Sequence, residues 1–466
     1  MNQPARTFTL IGLVTIVLLA LHLLPSISVA GTELRAVNIL SDILPEVYRQ
    51  KYAIDVIPRP EPPKPRQAVI ADSTQLQQSR HVEEYRPEGV TLIDDYSEGQ
   101  PGGMDHFYQM LSHRNTAGRP VRIAYFGDSF IEGDIFTAHL RQRLQQKFGG
   151  CGVGWVDPGN KINGFRRTIV QKFRLFDEHE VVEKPFSYAF EGINQRYFIP
   201  QEGASVWTRG TDYCPLAATW QQSTLYLRTA NGVSVAFNQN DEQWLPQHLA
   251  PSGHLQTIVS SCDTTRSIAY RFTNVSHGTY VYGMALEGRT GITLDNFSMR
   301  GSSGATLSSI PSDVLADFAH QRPYDLIVLH FGLNVVSDRS HAANYKAYTR
   351  QMRKVVAHLQ QAWPEASILI VSVPDRCQRT AAGVRTMSGV ESLSAYQQIL
   401  ASDCHIAFFN LFQAMGGRES MVKLVERGLA NKDYTHLSHG GGKVVSQHFF
   451  RSLDAGYVNY HRHHTP

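Results

Sequence analysis

The stretch Val121-Arg122-Ile123-Ala124-Tyr125-Phe126-Gly127-Asp128-Ser129 decides the fold. A run rich in β-branched and aromatic residues ends at a glycine, so it reads as a strand leading into a tight turn. Phe136, Leu140, Leu144 and Phe148 then recur every four residues up to Gly149-Gly150, the spacing of an amphipathic helix and its stop. Strand, turn and helix in this order begin an α/β domain. The alternation returns late in the chain: strands are expected at 325–329, 367–373 and 406–411, and helices at 345–363, 391–401 and 441–453. Such a series predicts a parallel sheet with helices on both faces, a three-layer doubly wound arrangement.

Between the two halves the pattern changes. Short alternating runs such as Ser223-Thr224-Leu225-Tyr226-Leu227 and Val233-Ser234-Val235-Ala236-Phe237 follow one another with turns between, the signature of an inserted β-sandwich. The expected division is 1–30 as a signal peptide or signal anchor, 31–118 as an extension with a proline-rich spacer, 119–160 and 291–466 as the two parts of the α/β domain, and 161–290 as the insertion. Trp207, Trp220 and Trp244 lie in the insertion, where most aromatic residues belong to the core and some are free to stack on a sugar ring.

Residues 8–24 form an almost unbroken apolar run, preceded by Arg6 and closed by Pro25. Ser28, Val29 and Ala30 offer small residues for cleavage before Gly31, so an export signal is expected, and the run's length leaves an uncleaved membrane anchor open. The protein is therefore expected outside the cytoplasm, in the periplasm or cell envelope. Pro58, Pro60, Pro62, Pro63 and Pro65 mark a semi-rigid extended spacer after it. Export permits disulfides, and among five cysteines Cys214 and Cys262 are the expected pair. No Cys-x-x-Cys or paired His spacing suggests a metal. With 44 basic and 41 acidic residues interspersed and a formal charge of +3, the chain has no basic stripe, so nucleic acid is not an expected partner.

Three segments place catalytic residue types just beyond strand ends, where an open α/β sheet forms its ligand crevice. Gly127-Asp128-Ser129 puts a hydroxyl and its own N–H there; read alone, Ser129 with Glu132 is also a helix capping box. Leu329-His330-Phe331-Gly332-Leu333-Asn334 supplies an amide that can face developing negative charge. Asp433-Tyr434-Thr435-His436 spaces a carboxylate and an imidazole so that one orients the other.

These blocks, with Arg300-Gly301-Ser302-Ser303-Gly304-Ala305-Thr306 between them, resemble the SGNH (GDSL) hydrolases. The resemblance covers about residues 119–155 and 295–450. It implies Ser129 as nucleophile, Asp433 and His436 as its partners, and an oxyanion hole of Ser129, Gly304 and Asn334, with no cofactor. Gly301 stands as a rival to Gly304, and His439 to His436. Val335 departs from the acidic residue that often follows the asparagine. An SGNH domain carrying an inserted β-sandwich looks like the bacterial peptidoglycan O-acetylesterases, whose insertion resembles a carbohydrate-binding module. The activity this implies is removal of O-acetyl groups from a polysaccharide; acetyl transfer by the same triad and glycan binding without catalysis are the alternatives.

Overall fold

The structure, a computed structural model of the 466-residue chain, describes residues 13–15, 28–29, 32–33, 60, 63, 83–337, 340 and 342–464. Two compact units separate at residues 56 and 57. In the first, the described residues are a helical segment at 13–15 and a strand pair, Ser28–Val29 with Thr32–Glu33. Most of the apolar run at 8–24 and most of the proline spacer lie outside the described residues. Among the described residues no helix is long and apolar enough to cross a membrane.

The second unit contains the α/β layer. Its sheet is built from β1 (Asp94–Asp95), β2 (Val121–Gly127), β3 (Ile292–Ser298), β4 (Leu326–His330), β5 (Ser367–Val371) and β6 (Ala407–Phe409), in the spatial order 3-2-4-5-6-1. Strands β2 to β6 are parallel, and β1 is antiparallel to β6. The sheet is thus mixed rather than wholly parallel. Two residues from the extension form its last strand, too short to leave a pattern in the sequence.

Residues 121–127, 326–330 and 367–371 are buried along their whole length, which is why they read as continuous apolar runs. Adjacent residues of β2 show how the layers are filled. Tyr125 meets Phe136 and Phe449, from the sides of helices Thr137–Phe148 and His439–His464. Phe126 meets Phe297, which in turn contacts Trp155 at the base of the insertion.

The strands of the insertion, with the short strand Gly154–Val156 before it, form one nearly closed antiparallel sheet of nine strands. The long strand Arg196–Gly210 is the reason. Its first part pairs with Thr279–Glu287, its second with Ser267–Thr273, and Ile169–Glu180 runs beside both. A second apolar core fills the interior, with Phe198, Val206, Trp220, Leu225, Val235, Ile258, Tyr270 and Met284.

The expected disulfide does not form; all five cysteines are free. Cys214 is buried with its Sγ 3.8 Å from the Ala138 carbonyl oxygen and 3.9 Å from His139 Nδ1, against the α/β layer. The Cys262 Sγ instead lies 3.6 Å from the Thr264 carbonyl oxygen on its own strand.

The seam between insertion and α/β layer is ionic. Arg322, fully buried, bridges Glu287 of the insertion and Asp295 of β3, and Arg122 of β2 also reaches Glu287. Burial alone would raise the Glu287 pKa, but the two guanidinium groups outweigh it and hold the carboxyl at about 2.

Candidate active site

The register of the sheet assembles the site. Gly127 pairs with Ser298 on one side and His330 on the other, and His330 pairs with Val371, so these strands end in one row. The chain runs from β2 to β3 on one side and then crosses to β4 on the other. The crevice at this topological switch opens beside the carboxyl end of β2, where Ser129 stands. The loops after β2, β3 and β4 carry Ser129, Gly304 and Asn334.

Ser129 Oγ is 2.9 Å from His436 Nε2, and His436 Nδ1 is 2.7 Å from Asp433 Oδ2. Asp433 Oδ1 also accepts the backbone N–H groups of Thr435 and His436, at 3.0 and 3.1 Å. Burial pushes the Asp433 pKa up, and the bonds from the His436 ring and the two backbone N–H groups more than reverse this, leaving it lowered. A carboxylate so held fixes the ring with the nitrogen facing Ser129 ready to accept a proton. The capping-box arrangement is not what the structure shows: the Glu132 carboxylate pairs with Arg300.

Between the rivals, geometry separates the roles. The His439 ring lies against Tyr213, whereas His436 reaches the serine. Gly301 faces open space, while a Cβ at Gly304, whose φ is +85°, would stand 2.6 Å from the Phe331 ring. Only glycine fits at Gly304.

Ser302 was not singled out in the sequence, yet it meets two of the expected oxyanion donors. Its Oγ accepts from the Gly304 N–H at 3.0 Å, and its carbonyl oxygen accepts from Asn334 Nδ2 at 2.9 Å. Asn334 Nδ2 carries a second hydrogen, so this bond orients the amide without exhausting it.

Asp128 is a further residue whose role the motif hides. Its buried carboxylate accepts the Phe130 N–H at 3.0 Å and the Leu333 N–H at 3.2 Å, tying the serine turn to the Asn334 loop. Burial pushes its pKa up to about 6 despite these donors.

The insertion also reaches the rim. Arg196, 4% exposed, donates to the Ser298 carbonyl oxygen at 2.8 Å and lies within ion-pair distance of Glu180, Asp157 and Glu178. Gln195 donates to Thr306 Oγ1 at 2.8 Å. The two contacts bracket the loop that bears Gly304. Nothing local in the sequence signals them, because each joins residues about a hundred positions apart. Among the described residues no group of three or more His, Cys, Asp or Glu side chains is placed to hold a metal.

Residues 266–442 match the GDSL-like Lipase/Acylhydrolase family, a segment that includes Gly304, Asn334, Asp433 and His436. That segment, less than half of the chain, resembles the GDSL-like ester hydrolases. A peptidoglycan O-acetylesterase shares the fold of this chain, with a TM-score of 0.64 at 21% identity over 78% of this chain and 99% of that one. A family 2 carbohydrate esterase with a carbohydrate-binding domain from Corynascus thermopiles (Myceliophthora fergusii) also aligns, at 11% identity over 61% of this chain and 99% of that one. Its TM-score is only 0.29. No curated protein matches the sequence.

Proposed function

We propose that this protein is a serine esterase that removes O-acyl groups, acetyl foremost, from a cell-envelope polysaccharide, with Ser129 as nucleophile, His436 as general base and acid, and Asp433 as its support. The observation that carries the reading is the unbroken relay from Ser129 Oγ through His436 to Asp433, at 2.9 and 2.7 Å, on the rim that also bears Gly304 and Asn334. The shared fold with a peptidoglycan O-acetylesterase supports the choice of substrate class, and the apolar run at 8–24 supports export.

His436 takes the Ser129 proton as Oγ attacks the ester carbonyl, and the imidazolium is stabilised by Asp433. The tetrahedral oxyanion is held by the Ser129 N–H, the second hydrogen of Asn334 Nδ2 and the Gly304 N–H, which exchanges Ser302 Oγ for the substrate oxygen. His436 then protonates the sugar oxygen as its bond to the carbonyl carbon breaks, so the sugar leaves as a hydroxyl and an acetyl ester remains on Ser129. Water, deprotonated by His436, releases acetate and restores the serine. The side chains of His436 and Asp433 are 33% and 48% exposed, so water can reach the imidazole that activates it.

Acetate release from O-acetylated peptidoglycan, and turnover of 4-nitrophenyl acetate, test the reading. Ser129→Ala is expected to lower kcat by about 10⁴-fold or more. Turnover unchanged in that variant overturns it.

A further inference from the structure

Asn334 is exposed, yet an oxyanion donor must be held closely in one place. Its side chain is tied to Ser302, and the backbone around it is gripped from elsewhere. The turn at 332–336 is closed by the Val335 and Val336 N–H groups, which donate to the Gly332 carbonyl oxygen at 2.9 and 3.0 Å. The Leu333 and Val336 carbonyl oxygens, on either side of Asn334, both accept from Arg376 Nη1, at 2.6 and 3.1 Å. One guanidinium nitrogen, with its two hydrogens, thus brackets the asparagine. Arg376 is partly buried, and its hydrogen bonds among the described residues go to these carbonyls rather than to a carboxylate. A charged donor makes such bonds stronger than a neutral one would.

The segment that carries Arg376 is itself fixed, and it touches the other half of the site. Asp375, fully buried, accepts from the Met421 N–H at 2.9 Å and from Thr386 Oγ1 at 2.8 Å. The Arg376 carbonyl oxygen accepts the Met387 N–H at 2.8 Å. Cys377 opens a two-stranded hairpin, Cys377–Thr380 with Gly383–Thr386, and its N–H donates to the Tyr434 carbonyl oxygen at 3.0 Å. The Arg379 guanidinium lies 5.7 Å from the centroid of the Tyr434 ring. Tyr434 stands between Asp433 and His436 with a φ of +54°, a conformation that a bulky residue keeps only with outside support. Three consecutive residues therefore join a buried anchor, the Asn334 turn and the Asp433–His436 loop.

The geometry points to Arg376 as a positioning residue, which sets where the Asn334 amide stands against Ser129 and His436 by holding the carbonyls on both sides of it. The oxyanion donor and the acid–base pair are then kept in one frame by the segment 375–377. Neither carbonyl belongs to a reacting group, so Arg376 acts on rate through the peptide it holds. Its part in a reaction rests on the proposed function; its grip on the turn does not.

Two measurements test the inference. The first is hydrolysis of 4-nitrophenyl acetate by Arg376→Met, Asn334→Ala and the double variant; the second is hydrogen exchange of the peptide 332–337. Arg376→Met is expected to lower kcat by about 10²-fold with KM within about twofold, the effect of a donor displaced by about an ångström. Because that loss passes through Asn334, the double variant should fall no more than about threefold below Asn334→Ala, whereas independent effects would multiply. Exchange at 332–337 should quicken by at least about tenfold in Arg376→Met while 121–127 keeps its protection, a sign that the fold survives. Arg376→Lys keeps the charge without the planar fork and should lose only about tenfold in kcat. It takes the place of Arg376→Met in both measurements should that variant not fold, with the same absence of multiplied losses expected. Losses that multiply in the double variant, or unchanged exchange at 332–337, overturn the proposal. A wild type that cleaves no ester, with exchange quickened as expected, upholds the hold of Arg376 on the turn and overturns the esterase reading alone.

Discussion

The rim of the parallel sheet and the insertion use their residues in opposite ways. At the rim, the chemistry sits on loops, and the backbone register of β2, β3 and β4 brings segments about 300 positions apart into line. In the insertion, the outward side chains stand on the strands themselves, and it touches the rim through a few long buried groups such as Arg196 and Gln195. A loop residue at a rim can be exchanged at little cost to the fold, whereas a buried charge cannot. Rim changes should therefore cost rate and seam changes stability.

Arg196→Met gives the largest expected effect on folding. It strips the cation from Asp157, Glu178 and Glu180 and the donor from the Ser298 carbonyl. A fully buried uncompensated charge costs about 3–5 kcal/mol, and the partial exposure of these carboxylates, 12–24%, places the expected loss below that range. Denaturant unfolding should show that loss. Arg196→Lys should recover part of the stability but less of kcat, since a lysine cannot serve the carboxylates and the carbonyl together. Equal recovery of both would make Arg196 a mere counter-ion.

Asn334→Ala is the converse. It removes one oxyanion donor and a surface-loop bond to Ser302, so kcat should fall about 10²–10³-fold with KM little changed. The unfolding midpoint should barely move. A large stability loss with normal kcat would place Asn334 among the structural residues.

Asp128 sits between these extremes, and pH separates its two roles. Its pKa is raised from 3.8 to about 6, so the folded state favours the protonated form. The stabilisation is complete below 3.8 and is lost as pH rises through 6, a span of about 3 kcal/mol. Asp128→Asn should flatten unfolding free energy measured between pH 4 and 7, and should slow turnover because one of the two N–H donors loses its acceptor. A variant that keeps the wild-type pH slope would assign that slope to another group.

How far each region was legible in the sequence follows the same division. The α/β strands announced themselves because burial on both faces demands unbroken apolar runs, and Ser129, Asp433 and His436, which the structure brings together, stood out because strand ends put reactive side chains in a crevice. Asp94–Asp95 did not, since two residues carry no period. The short strands of the insertion were legible, but not that the long strand Arg196–Gly210 links them into one nearly closed sheet, because alternation along a strand says nothing of its partners. Gln195 and Arg196 left no trace, because a contact with a distant loop has no local signature.

The cysteines give the smallest expected effect. A Cys214–Cys262 bridge would close a loop of about 48 residues and, by chain entropy, stabilise the fold by about 4 kcal/mol. Instead the Cys214 thiol is buried against the helix Thr137–Phe148, and burial raises its pKa to about 11, so little of it is the thiolate needed for exchange. Reductant should therefore leave the thermal midpoint of oxidised, purified protein unchanged, and Cys262→Ser should alter stability by no more than about 0.5 kcal/mol. A fall of several degrees with reductant, abolished in Cys262→Ser, would mean that the two thiols meet after all. The insertion would then owe its stability to a covalent tie, and its apolar core and ionic seam would count for less.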